Sequence, residues 1–475
     1  MRNNLTIGVI EASLPSYFPD KYKVFEACRA GLQEICDAQG IRIVVAQDRP
    51  MNGMQARKAA ESCLSDGADF LLLVHGGFTM GDVAHTLATL PVPMGVWATP
   101  EPVLEGDIQL NNFVSLNMTM SIAKQVRDLK KSPIQWYFGA PDDPKIRDRF
   151  SCTFRALSML KAITHARIAL IGGLAPTFYN MEVSSNTLKQ RFGIDVEAFE
   201  ITELTGRMAS IDEARANSEL EKITSAARVD GVSDHQMMLA SKAALALRDI
   251  CADGDFQALA VSDWPALQVD PGKHPGAAFT WLEEVDQIPV ASEGDLLGAV
   301  SQLAALSMTG KVGYLLDMTE PDFDEGDLLM WHGGGGPLYL ADNGGTRWIN
   351  HPMIGRGTEE GPIYGTISDL VFQDGPVTAL RVCDDAQALF EMEARVAGRI
   401  PNGYSGCRGW LRDFSIAGET ASLDDVVSTV MGHGIEHHFV LVPGHHHAVL
   451  AEFSVWSNMA SLGRLAARDH LVGIP

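Results

Sequence analysis

Residues 5–10 (LTIGVI), 42–46 (RIVVA), 69–77 (DFLLLVHGG) and 94–102 (MGVWATPEP) decide the fold. Helix-like stretches, Tyr22–Gln39 and Gln55–Ser65, lie between them. Short apolar runs alternating with helices predict a parallel sheet flanked by helices, its strands buried on both faces. Ligands of such sheets gather beyond the carboxyl ends of the strands. That rule draws attention to His75-Gly76-Gly77 and Thr99-Pro100-Glu101, and makes Trp97, just before the latter, a candidate substrate contact.

A second series of the same kind begins at Arg167 with RIALIGG. It continues through a helix after Tyr179, a strand at 194–201, a helix at Asp234–Cys251 and the strand ALAVSDW, and ends with IPVASEGDLLGAV near Met308. The Gly172-Gly173 turn lacks the G-x-G-x-x-G spacing of a dinucleotide site and reads as a tight strand-to-helix turn. After Gly310 the pattern changes to short strands between Gly, Pro, Asn and Asp: KVGYLLD, DLLMWHG, GPLYLAD, TRWINHP, YGTISDLVF and VTALRVC. The expected fold is therefore α/β, with two parallel-sheet α/β domains at 1–160 and 161–310. A mostly antiparallel β domain follows at 311–475.

The bulk numbers agree with a large globular chain: 475 residues, 46% hydrophobic and 20% charged. Sixty acidic against 37 basic residues give a formal charge of −23, which disfavours nucleic acid as a partner without excluding a local basic pocket. Seven scattered cysteines form neither a zinc knot nor a disulfide framework, which fits a reducing compartment. The N-terminus lacks the apolar core of a signal peptide and no stretch is long enough to span a bilayer, so a cytoplasmic protein with no membrane partner is expected.

Three clusters carry candidate chemistry. Glu293 lies in Ala291-Ser292-Glu293-Gly294-Asp295, between an apolar run and a helix. It is either a loop carboxylate at a site or, with Asp295, a complement to the dipole of a helix capped by Ser292. Asp317 follows VGYLL and precedes a polar hairpin; it is a site residue or the first residue of a turn. Beyond the hairpin, His332 meets four consecutive glycines, Gly333–Gly336, which imply either close approach of backbone to a ligand or a plain flexible turn. Finally, His433, His437, His438, His445, His446 and His447 fall within fifteen residues of a chain with fourteen histidines, which suggests metal. The segment PGHHH, between VLV and AVLAEF, reads as a sheet turn.

Two carboxylates with histidine make a mixed oxygen and nitrogen site that suits Mn²⁺, Mg²⁺ or Co²⁺ better than structural zinc. The combination fits the movement of a carbonyl between C1 and C2 of a sugar. Such a reaction needs both oxygens held, a proton removed and an enediolate stabilised.

The order Asp263-Trp264-Pro265-Ala266-Leu267-Gln268, Ser292-Glu293-Gly294-Asp295, Asp317, Trp331-His332-Gly333 and His446-His447 resembles that of L-fucose isomerase and L-arabinose isomerase. The specific motifs lie between about 258 and 340 and near 444–450. The resemblance implies two α/β domains followed by a barrel-like C-terminal β domain, in a homotrimer or homohexamer whose active site is completed by a neighbouring subunit's N-terminal domain. It implies that Glu293 and Asp317 bind Mn²⁺ and act as the acid–base pair, that His447 or its rivals His446 and His445 supply a further ligand, and that His332 matches a ligand of the arabinose branch. Gln268, Asn117 and Arg408 are candidate substrate contacts, the last two otherwise surface or turn residues. The expected activity is aldose–ketose isomerisation of a free or modified sugar, deoxy and sulfonated ones included. Epimerisation, a lyase step on the same metal site, or sugar binding without catalysis are the alternatives.

Overall fold

The computed structural model describes residues 5–126, 133–269, 274–352 and 365–467. The chain divides into two compact units, residues 1–158 with 455–458 and residues 159–454 with 459–475.

In the first unit, β1 (Thr6–Ala12), β2 (Arg42–Val45), β3 (Phe70–His75), β4 (Met94–Ala98) and β5 (Ile134–Phe138) form one parallel sheet in the order β2-β1-β3-β4-β5. β1, β3 and β4 are buried at every residue, as expected for strands covered by helices on both faces. Trp97 belongs to this core. It is 1% exposed, its indole N–H donates to the Gly139 carbonyl at 3.0 Å and its ring meets Phe150 edge-on. A saturated, enclosed indole has nothing left to offer a substrate, so the expectation for Trp97 is corrected to a packing role. Asn117 is exposed on the helix Asn112–Gln125.

The second unit opens with β6 (Arg167–Ile171), β7 (Asp195–Phe199), β8 (Arg228–Asp230), β9 (Ala258–Val261) and β10 (Val290–Ser292). Four of these make a parallel sheet in the order β10-β9-β6-β7, while β8 pairs elsewhere. Then come β11 (Tyr314–Asp322), β12 (Asp327–His332), β13 (Arg347–Asn350), β14 (Thr366–Val371), β15 (Gly375–Cys383), β16 (Ala388–Val396), β17 (Cys407–Ile416), β18 (Glu419–Thr420), β19 (His438–Pro443) and β20 (Ala460–Ser461). The pairing path β16-β15-β19-β11-β12-β17 returns from β17 to β16, so six antiparallel strands close a barrel. Closure leaves these strands no free edge. Phe390, Met392, Leu411, Phe439 and Leu441 belong to the cluster of side chains in its core.

β8 pairs in parallel with β13, and the helix Leu296–Thr309 packs against both β9 of the parallel sheet and β15 and β19 of the barrel. That helix is buried around nearly its whole circumference, as its sequence LLGAVSQLAALSMT requires. Two local expectations are corrected. GPLYLAD supplies a 3₁₀ turn at Leu338–Leu340 rather than a strand, because Pro337 sets the chain for a turn. AVLAEF lies in the helix His447–Trp456, where Val449, Leu450, Phe453 and Trp456 are buried at helical spacing, so PGHHH links a strand to a helix.

Candidate metal centre

Glu293 sits where β10 ends, beside the carboxyl end of β9. Its backbone is left-handed, at φ +62°, a conformation that favours glycine. Three contacts impose it. The Glu293 N–H donates to Asp263 Oδ1 at 2.7 Å, its carbonyl accepts from Ala175 N–H at 2.8 Å, and a Cβ on Gly294 would lie 2.1 Å from the Gly173 carbonyl oxygen. The Gly172-Gly173 turn thus makes room for the Glu293 loop. The helix that follows is capped by Asp295, which accepts from Gly298 N–H at 2.8 Å, and not by Ser292.

Asp317 is reached from the barrel. In the antiparallel register it stands opposite His438 on β19 and opposite Trp331 on β12. Opposed residues share a face, so Asp317 and His438 project together towards Glu293. His438 Nε2 lies 3.3 Å from Glu293 Oε2 and 3.9 Å from Asp317 Oδ1, ion-pair separations without hydrogen-bond geometry. All three atoms are buried without a hydrogen-bond partner among the described residues. Ligand atoms of Asp317, His332 and His438 lie within 4.8 Å of one another, as do those of Glu293, His437 and His438.

The environment settles what these groups carry. Burial alone would push the Glu293 carboxyl up, but His437 and His438 outweigh it and hold the pKa well below the usual carboxylate range. Asp295 is likewise held low: burial opposes ionisation, and the Arg381 charge and His438 reverse it. For His438, burial favours the neutral ring, yet the Asp295 and Glu293 carboxylates beside it push it up to about 10, with a proton on Nε2 that a cation bound there would displace. Its Nδ1–H donates to Asp295 Oδ2 at 3.0 Å, and Asp295 is itself held by the fully buried Arg381, which also reaches Glu436. A carboxylate on Nδ1 fixes the ring and directs Nε2 to the cluster, the arrangement found behind metal-ligating histidines.

His332 differs. Its Nδ1 accepts the Gly334 N–H at 2.9 Å, and burial lowers its pKa. The neutral ring then carries its proton on Nε2, which suits a hydrogen-bond donor better than a ligand. The four glycines after it approach the chain's own atoms. A Cβ at Gly333, Gly334, Gly335 or Gly336 would come within 2.7 Å of His351, His332, the Gly276 carbonyl or Cys407, respectively.

Glu293, Asp317 and His332 are therefore brought together, and His446 and His447 are not. They lie past the far end of β19, about 17 Å along a six-residue strand from His438. His447 Nδ1 is bonded to Glu391, and His446 Nε2 to the Pro443 carbonyl at 2.8 Å. His445 Nε2 bonds the Ala394 carbonyl at 3.1 Å. The register of β11 against β19 brings His438, rather than these three, beside Glu293 and Asp317. Gln268 falls in the short helix Ala266–Val269, its side chain outside the described residues. Arg408 is buried on β17, opposite Trp331. Asp263, Asp295 and Arg381 were not singled out from the sequence as contributors, although Asp295 lies in the Glu293 motif and Asp263 opens the motif Asp263–Gln268.

No family model matches the chain. A protein named sulfoquinovose isomerase from Alkalicoccus urumqiensis is 26% identical over 251 residues, which are 53% of this chain and 56% of the relative. One of the same name from Priestia aryabhattai is 23% identical over 379 residues, 78% of each chain. These relatives are sugar isomerases. Both names agree with the activity that the resemblance implied, for a sugar other than fucose or arabinose. A solute-binding protein from Agrobacterium vitis, solved with α-D-tagatopyranose, covers 65% of this chain at 16% identity, but a TM-score of 0.17 carries no argument. No helix among the described residues is long and apolar enough to cross a membrane.

Proposed function

We propose that this protein is an aldose–ketose isomerase that uses one divalent cation, Mn²⁺ or else Mg²⁺ or Co²⁺, and takes a sulfonated aldose such as sulfoquinovose. The observation that carries the metal is that His438 Nε2 faces Glu293 Oε2 at 3.3 Å and Asp317 Oδ1 at 3.9 Å, three buried ligand atoms without a hydrogen-bond partner among the described residues. Buried polar atoms without partners are costly, and a hard cation satisfies all three at once. The isomerase activity and the sulfonated sugar rest on the names of the relatives.

A bound cation would supply Lewis acidity that stabilises negative charge as it develops on the substrate. Glu293, Asp317 and His438 would hold the cation, and each carboxylate would keep a second oxygen able to carry a proton. One carboxylate removes the C2 proton, the C–H electron pair forms the C1–C2 double bond of the enediolate, and a proton is returned at C1 while the hydroxyl proton moves from O2 to O1. His332, whose proton lies on Nε2, orients an oxygen of the substrate. Asp263 and Asp295 act through Glu293 and His438, which they hold. A homotrimer or homohexamer, with a neighbouring N-terminal domain completing the site, belongs to the same proposal.

The test is proton NMR in heavy water with Mn²⁺, sulfoquinovose and a panel of neutral aldoses. The proposal expects loss of the C2 proton signal, stopped by a chelator and restored by Mn²⁺. Undiminished exchange in metal-free protein overturns the metal, and no exchange with any aldose overturns the isomerase.

A further inference from the structure

The barrel register continues beyond the metal centre. β11 and β19 place Asp317 opposite His438, β11 and β12 place Asp317 opposite Trp331, and β12 and β17 place Trp331 opposite Arg408. Directly opposed residues of antiparallel strands project from the same face. His438, Asp317, Trp331 and Arg408 therefore form one row across four adjacent strands, on the face that carries the cluster. At ~4.8 Å per strand, Asp317 and Arg408 are about 10 Å apart at the backbone. That distance is of the order of a six-carbon sugar with a terminal group and a contact at each end.

The two residues beyond the carboxylate are fixed. Trp331, partly exposed, donates its indole N–H to the Ser405 carbonyl at 2.8 Å and meets the Tyr404 ring edge-on. Arg408 is 8% exposed. Its Nη1 donates to Asp369 and, at 2.7 Å, to the Gly406 carbonyl. Its Nε is buried with no hydrogen-bond partner among the described residues. Asp369 also pairs with Arg347, which pairs with Asp230, and Asp230 with Arg228, so three guanidinium groups share two carboxylates and the network keeps a net positive charge. A pinned guanidinium with one buried donor unsatisfied is an incomplete anion site.

We infer that Trp331 and Arg408 form the subsite for the far end of the substrate, the indole carrying an apolar face of the sugar and Arg408 Nε–H binding an anionic group remote from C1 and C2. The inference rests on the isomerase reading and deepens it, since it assigns this chain's preference for a sulfonated over a neutral sugar to one side chain. It also reconciles an acidic protein with an anionic substrate, because the positive charge is local and at the end of the row.

The experiment compares sulfoquinovose with D-glucose in wild type, Arg408→Lys, Arg408→Met and the double variant Arg408→Met with Asp369→Asn, which keeps the buried pair neutral if Arg408→Met does not fold. Steady-state kinetics and calorimetric binding of each sugar are measured on the folded, Mn²⁺-loaded proteins. Loss of a charge-assisted hydrogen bond predicts that Arg408→Met raises KM for sulfoquinovose by about 10- to 100-fold more than KM for glucose, with kcat the lesser change and Arg408→Lys recovering part of the difference. Equal effects on both sugars, or a fall in kcat alone, overturn the subsite while leaving the isomerase standing. Sulfoquinovose binding that depends on Arg408 without turnover in wild type supports the subsite and removes the isomerase reading instead.

Discussion

Two buried ion networks in the second unit show opposite bookkeeping of donors and acceptors. Around Glu219, Oε1 accepts from Arg248 at 2.8 Å and from the Trp281 indole at 2.6 Å, Oε2 accepts from Lys222 at 3.0 Å, and Arg248 also reaches Asp286. Every atom of that carboxylate is satisfied by protein. Around His438 the outer members, Asp295, Arg381 and Glu436, are equally well paired, but the inward atoms of Glu293, Asp317 and His438 are not. The first network is complete and serves the fold. The second is complete only on its outer side, and its inner atoms lack a hydrogen-bond partner among the described residues.

The largest expected effect lies at the open network. Glu293→Gln and Asp317→Asn should each slow exchange of the C2 proton by ~10²–10⁴-fold, while the double variant is hardly slower than either, because both act on one proton path. Additive losses would separate the two carboxylates into different steps. Next, Asp295→Asn keeps the cap and an acceptor for His438 but removes the charge, and should weaken Mn²⁺ binding by ~10–100-fold with the fold retained. Unchanged affinity would reduce Asp295 to a helix cap. His332→Asn should lower kcat while leaving the Mn²⁺ affinity alone, measured on the same titration. A matching loss of affinity would return His332 to the ligand set.

The closed network should respond the other way, and least in activity. Burial opposes ionisation of Glu219, but Arg248, Trp281 and Lys222 more than compensate and its pKa falls from 4.5 to about 2. A depressed carboxylate contributes stability above its unfolded pKa and loses it as pH falls through the folded value. Glu219→Gln should therefore cost about 2 kcal/mol at pH 7, and the difference from wild type should shrink between pH 4.5 and 2 in denaturant titrations, with turnover unchanged. A loss that persists undiminished at low pH would assign the cost to packing.

Much of this was legible in the sequence because it depends on local patterns. Alternating apolar runs and helices gave the parallel sheets, and the Gly- and Asp-punctuated strands after Gly310 gave an antiparallel β domain, whose closure into a barrel only the resemblance implied. Glu293 and Asp317 stand out because each follows an apolar strand. The choice of histidine was not legible: His438 and His447 are equally plausible in one dimension, and only the pairing of β11 with β19 puts His438 opposite Asp317. Trp97 misled because a Trp near a strand end looks the same whether it faces a cleft or a core. The glycine run misled for a related reason, since close approach is to the chain's own His351, Gly276 and Cys407. Arg381, the deepest member of the site's network, leaves no sequence signal at all, being one arginine within a long apolar strand.

The most direct test of the metal centre is a Mn²⁺ titration, by calorimetry, of wild type, His438→Ala and His447→Ala in one series. The account predicts about one Mn²⁺ per chain in wild type and in His447→Ala with similar affinity, and binding weakened beyond detection in His438→Ala. Binding retained by His438→Ala and lost by His447→Ala would contradict it.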